Sequence, residues 1–180
     1  IDMINDLEFP GGENIVDAAQ EAAQQIASLK KQAKALNIPV VYVNDNFGRW
    51  RSDMTKQVDH CLNDGVRGQR LVELLRPERD DYVVLKPKHS AFHATTLDAL
   101  LNYLQADQLI ITGISADVCV QFSASDAYMR DFKLYIPEDC IASDSTEHTQ
   151  EAITYLKRVL DADTTPSSRL HLKRLVKQLV

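Results

Sequence analysis

Apolar residues recur three and four apart at Ile15, Ala19, Ala22, Ile26, Leu29, Ala33 and Leu36, which predicts one buried helix face over 15–36. The period then changes. "PVVYVN" (39–44) is a short β-branched run and reads as a buried strand. "DYVVLK" (81–86), "QLIITG" (108–113) and "KLYIP" (133–137) read the same way. Helical spacing predicts segments at about 67–76, 95–105, 118–130 and 146–160. Thr95 and Asp98 fit a capping box ahead of "ALLNYL". The opening Ile1-Asp2, with no initiator Met, reads as the end of a first strand that begins upstream.

Strand and helix alternate in units of ~30–40 residues, the pattern of parallel βαβ units with right-handed crossovers. In such sheets, sites form beyond the carboxyl ends of the strands. The residues there are Asp2, Asp45, Lys86, the 113–119 turn and Glu138-Asp139. The end of the chain, 167–180, is basic and amphipathic and reads as a helical tail, with a subunit contact or an acidic surface as its other uses.

With 180 residues, 44% of them hydrophobic, one domain over 1–180 is expected. No apolar run reaches 18 residues, so no membrane partner is expected. The net charge of −6 disfavours a nucleic-acid surface. Cys61, Cys119 and Cys140 are odd in number, widely spaced and without a CxxC pair. Neither a disulfide framework nor a thiolate zinc site follows, and a reducing cytoplasm is the expected compartment. No G-x-G-x-x-G follows a strand and no Walker A motif occurs, so nucleotide binding has no support.

Cys119 is the unusual residue, because it stands on a strand-to-helix turn, "GISADVCV". A thiol attacks as its thiolate, and a nearby ammonium and a helix N-terminus both favour that anion. Among the strand-end residues, Lys86 could supply the ammonium and Asp2 a carboxylate to take and return the proton. Gly113, Ser115 and Ala116 are small enough to let backbone N–H groups approach a reacting carbonyl. Together these groups describe acyl transfer. The plain alternative is that any parallel sheet has charged strand ends, and a single Cys is often just a small buried hydrophobe. Asp117 reads as a cap for the helix carrying Cys119. His89 and His93 flank Phe92 and could reach the site mouth, but read first as polar loop residues, and Cys61 and Cys140 read as inert. Phe47, Arg49 and Trp50, in the loop after the second strand, are candidates for substrate contact, as is Phe92.

"IDMIND", "KPKHSAF" (86–92) and "GISADVCV" (113–120), in this order, resemble the isochorismatase-like cysteine hydrolases, a superfamily that includes nicotinamidases and N-carbamoyl amide hydrolases. The likeness runs from Ile1 to about Ala142. It implies a doubly wound (Rossmann-like), mostly parallel six-stranded sheet with helices on both faces. It also implies Asp2, Lys86 and Cys119 as the catalytic residues. The oxyanion donors would be the backbone N–H groups of Ser115 and Cys119, with a cis peptide between Ile114 and Ser115. The family's habit of association implies a homo-oligomer, a dimer or tetramer. The sequence also departs from its relatives. Nicotinamidases carry D-x-H metal ligands after the second strand, but here Phe47 stands where the His would be, and Asp45 with His60 alone is a poor site. No metal or other cofactor is therefore expected. Ile4 and Leu7 replace a Gln and an aromatic, which suggests a less polar pocket. Vinyl-ether-cleaving relatives lack the cysteine, so Cys119 argues for a small amide-like substrate. An isochorismatase-type hydrolase and a non-catalytic Rossmann-like binding protein remain the alternatives.

Overall fold

The computed structural model describes residues 1–46, 48 and 53–176. The long amphipathic stretch forms α1 (Gly12–Ala35), which buries Ile15, Ala19, Ala22, Ala23, Ile26, Leu29 and Ala33 along one face. Burying a side chain as large as Ile15 or Leu29 contributes about 1.5–3 kcal/mol. The next run forms β1 (Val41–Asp45). A helix that the sequence reading left out follows, α2 (Met54–Asn63), with the Asp53 carboxylate accepting from the Lys56 N–H as its cap. Such a cap stabilises by about 1 kcal/mol. α2 buries Met54, Gln57, Val58 and Cys61. The polar Gln57 in that stripe masks the period.

α3 (Gln69–Leu74) and β2 (Tyr82–Lys86) come next. α4 (Leu97–Tyr103) begins two residues later than expected and lacks the capping box. The Thr95 hydroxyl donates to the Ala91 carbonyl instead, and Asp98 is drawn away by Arg130 at 3.0 Å. The remaining elements are β3 (Gln108–Ile110), β4 (Gly113–Ile114), α5 (Gln121–Tyr128), β5 (Lys133–Tyr135), β6 (Ile141–Ala142), α6 (Thr146–Leu160) and α7 (Leu172–Leu175). A single π-helical turn, Ala116–Val120, precedes α5, so the helical run starts ahead of the expected residue 118. Of the predicted tail, α7 and a 3₁₀ turn at Ser167–Arg169 are the described parts.

The strands pair in parallel, β1 with β2, β3 with β5 and β4 with β6. These are three small two-stranded sheets, not the single six-stranded sheet expected from the sequence. Backbone bonds through the first residues tie two of them together: Asp2 N donates to Val43 O, and Ile114 N to Ile1 O. Helices cover both sides of the strands. Val43, Val84 and Ile141 pack with residues of α4, α5 and α6, while Ile114 and Ala142 pack with α1 and α3. The result is an α/β fold in which β1, β2 and the Gly113 turn end near one another. Among the described residues, no helix is long and apolar enough to cross a membrane.

Candidate active site

Parallel register places Asp45 opposite Lys86, each at the last position of its strand. The Lys86 side chain is fully buried. Its ammonium lies 2.8 Å from Asp2 Oδ2, 3.5 Å from Asp45 Oδ2 and 3.4 Å from Cys119 Sγ, and donates to the Lys88 carbonyl at 3.2 Å. A buried ammonium is tolerable only with such partners. Asp2 is 4% exposed and is held from two directions, because its Oδ1 accepts from the Asp45 N–H at 2.6 Å. Gly113 lets the backbone just before Asp2 pass close by. It adopts φ +121, and a Cβ there would sit 2.0 Å from the Ile1 carbonyl oxygen.

The three residues named from the sequence thus come together, but the electrostatics differ from the expectation. Lys86 was expected to favour the Cys119 thiolate. Instead the thiol is pushed up to about 12, by burial first and by the Asp2 carboxylate second, with Lys86 only partly offsetting them. Burial penalises the charged thiolate, and Asp2 beside it adds like-charge repulsion that the one ammonium does not cancel. Burial lowers the Lys86 pKa, yet Asp2 chiefly, with Cys119 and Asp45, carries it above its ordinary value. Burial and Asp2 thus favour the neutral thiol, while Asp2, Cys119 and Asp45 favour the charged form of Lys86.

The Ile114–Ser115 bond is cis. Val118 N and Val120 N donate to the Ser115 carbonyl, on either side of Cys119 in the chain. Asp117 was expected to cap the helix carrying Cys119, but no side chain caps that helical start. The Asp117 carboxylate accepts from the hydroxyls of both Ser115 and Ser143, and Ser143 N is bonded to Thr149 Oγ1 at 3.0 Å. Burial would raise the Asp117 pKa, but those two hydroxyls hold it below the ordinary carboxylate value. The nucleophile turn is thereby tied to α6.

The substrate-contact candidates fare differently. Phe47 and Trp50 lie outside the described residues, as does Arg49. Phe92 is a core residue. It is 6% exposed, packs near Phe132 with ring centroids 6.3 Å apart, and carries the Arg130 guanidinium over its ring at 4.7 Å. Ile4 and Leu7, expected to reshape the pocket, are fully buried in two core clusters. Cys61 and Cys140 are buried, and their thiols are pushed up to about 11 and about 12, mainly by that burial.

Asp45 faces Lys86, whereas His60 has its ring nitrogens on Asp6 and Asp64. Those two residues do not form a ligand pair, and among the described residues no three His, Cys, Asp or Glu side chains could hold a metal ion together. The donor set does not fit a nicotinamidase-like metal centre. One contact went unread in the sequence: Asp45 is a second carboxylate on Lys86, and its place at a strand end was the available signal. His89, read chiefly as a loop residue that could reach the site mouth, has its Nδ1 3.9 Å from Cys119 Sγ.

Known proteins carry the same architecture. The isochorismatase family protein YaaI of Bacillus subtilis is 40% identical over 170 residues, covering 94% of this chain and 93% of its own length. The isochorismatase of the same organism is 36% identical over 75% of this chain, which spans only 44% of that relative. The crystal structure of N-carbamoylsarcosine amidase from Thermoplasma acidophilum superposes with a TM-score of 0.68 at 25% identity, covering 86% of this chain and 87% of the amidase. The isochorismatase domain description matches residues 1–165, spanning Asp2, Lys86 and Cys119 alike, and the chain belongs to the isochorismatase family of hydrolases.

Proposed function

We propose that this hydrolase cleaves a C–N bond of a small amide or carbamoyl compound, without a metal, through a thioester on Cys119. The observation that carries this reading is the single buried ammonium of Lys86 shared by a carboxylate and a thiol, 2.8 Å from Asp2 and 3.4 Å from Cys119. A thiol at about 12 is not pre-ionised, so its proton must move as it attacks. Sγ adds to the carbonyl carbon while Asp2 takes the thiol proton. The oxyanion is received by the Ser115 and Cys119 N–H groups. Asp2 returns the proton to the nitrogen, the C–N bond breaks, and ammonia or an amine leaves. Lys86 holds Asp2 in place throughout and compensates the charge that develops on sulfur. Water then hydrolyses the thioester.

A screen of small amides, carbamoyl compounds and isochorismate with the purified protein tests this. Turnover of a C–N substrate that disappears in Cys119→Ala is the expected result. The likeness to the Bacillus isochorismatase favours a second reading, cleavage of a vinyl ether by proton transfer from Asp2. Isochorismate turnover that persists in Cys119→Ala, with every C–N compound inert, would establish it in place of the first. Inertness toward all of them, with no thiol outrunning the others toward electrophiles, would favour a binding protein.

A further inference from the structure

We propose that Asp117 is a positioning residue for acyl transfer, one that holds Ser115 so that its backbone N–H meets the oxyanion. This rests on the thioester reading above, which assigns that N–H to the oxyanion. Asp117 itself touches no reacting atom. It acts through the Ser115 hydroxyl, which donates to Asp117 Oδ1. The Ser143 hydroxyl donates to the same oxygen. Ser143 is a firm anchor. It follows β6, is 1% exposed, and its N–H donates to Thr149 Oγ1 of α6 at 3.0 Å.

The rest of Ser115 is held as well. Its carbonyl accepts from Val118 N at 3.2 Å and from Val120 N at 3.1 Å. With side chain and carbonyl both fixed, the direction of the N–H is set. Without the Asp117 carboxylate the two hydroxyls still lie within reach of each other, Ser115 Oγ being 3.3 Å from Ser143 Oγ. Direct pairing draws Ser115 toward β6 and turns its N–H away from the oxyanion. A misplacement of about 1 Å costs about 100-fold in rate, and one oxyanion donor is worth about 100- to 1000-fold. The donor meets a charge that exists only after attack, so the loss falls on the maximal rate and spares binding. Both hydroxyls converge on one oxygen, and the amide oxygen of an asparagine can accept both.

The test compares two reactions of Cys119 in the whole protein. p-Nitrophenyl acetate forms the acetyl thioester through a tetrahedral oxyanion: Sγ bonds to the acyl carbon, Asp2 takes the thiol proton, and p-nitrophenoxide leaves. Released p-nitrophenol and intact-protein mass follow it. Iodoacetamide alkylates the same sulfur by displacing iodide, with no oxyanion. In Asp117→Ala, maximal acylation is expected to fall about 100-fold, with the half-saturating probe concentration unchanged. Alkylation should keep its wild-type rate and pH dependence, because burial and Asp2 are what hold the thiol up. Asp117→Asn should recover most of the lost rate. Ser115→Ala should reproduce the loss, and the double alanine variant should lose no more. Asp144→Ala is the control. That exposed carboxylate bonds to His148 at the start of α6 and should affect neither reaction. Unchanged acylation in Asp117→Ala or in Ser115→Ala overturns the proposal. So does an equal loss of alkylation, which would mean a collapsed turn, and so does the same loss in Asp144→Ala. No acetyl adduct on wild-type Cys119 overturns the thioester reading, and this proposal with it, a failure distinct from the others.

Discussion

The chain builds two lysine–carboxylate clusters, and they differ in charge balance and in burial. One ties α1 to the turn before β2. Lys30 and Lys34 share Glu78 and Asp81, and Lys34 reaches Asp80. Two ammonium groups meet three carboxylates there, with Glu78 and Asp80 largely in water. Solvent screens the pairs made with Glu78 and Asp80, while Lys30 and Asp81 are largely shielded from it, and the cluster braces a helix to a loop. The other cluster has one ammonium, Lys86, for Asp2 and Asp45, and no exposure at the lysine. Here burial and the Asp2 carboxylate both hold the adjacent Cys119 thiol up, and Lys86 offsets them only in part.

The largest expected effect comes from breaking the buried cluster. Lys86→Met leaves Asp2 buried without its counter-ion, which costs about 3–5 kcal/mol. Denaturant unfolding should show that loss, and acylation of Cys119 should vanish. Adding Asp2→Asn to the same protein should recover part of the stability and none of the activity. Asp2→Asn alone separates charge from proton transfer. It should slow acylation at pH 7 by about 100-fold or more. Because Asp2 helps hold the thiol up, the pH at which iodoacetamide labels Cys119 should move down from about 12. Burial, the larger cause, should still keep it above that of an ordinary thiol.

A smaller effect is expected in stability against pH. The folded pKa values of Cys61, Cys119 and Cys140, about 11, 12 and 12, lie above the ordinary 9.0. The unfolded chain therefore releases protons first as pH rises. Stability from these thiols is complete below pH 9 and is lost between about 9 and 12. Melting temperature should fall across that window, and less steeply in Cys140→Ala than in the parent, even though that variant starts lower at pH 7. Smallest of all, Lys34→Ala should barely move the urea midpoint, and added salt should erase what difference remains. A large, salt-resistant loss there would break the contrast between the clusters.

Much of the site was legible because it lies where strands end. Lys86 ends an apolar run and Cys119 stands shortly after another, while Asp2 was read as a strand end from Ile1-Asp2 and the resemblance. Parallel pairing places Lys86 at the end of its strand, opposite Asp45. The cis Ile114–Ser115 bond came from the resemblance, and the structure has it. α2 was missed because Gln57 interrupts its apolar stripe, although it earns its burial by donating to the Asp45 carbonyl at 3.0 Å. Phe92, named as a candidate substrate contact, is a core side chain with the Arg130 guanidinium over its ring, a long-range contact that local sequence does not announce. The capping box failed because Asp98 had a better partner 32 positions away.

The sequence by itself determined the alternation of strands and helices, the family, and the three residues at the strand ends. Periodicity and local chemistry are properties of neighbours along the chain, and a reader of the chain has those. Only the tertiary structure decided the state of the thiol. That state depends on burial and on how many charges face the same few ångströms of space, and Asp2, Asp45, Lys86 and Cys119 are brought there from four separate stretches. The same holds for His89. Its residue type was visible in "KPKHSAF", but its place over Sγ is set by Ser123 and Phe122, more than 30 residues further along the chain.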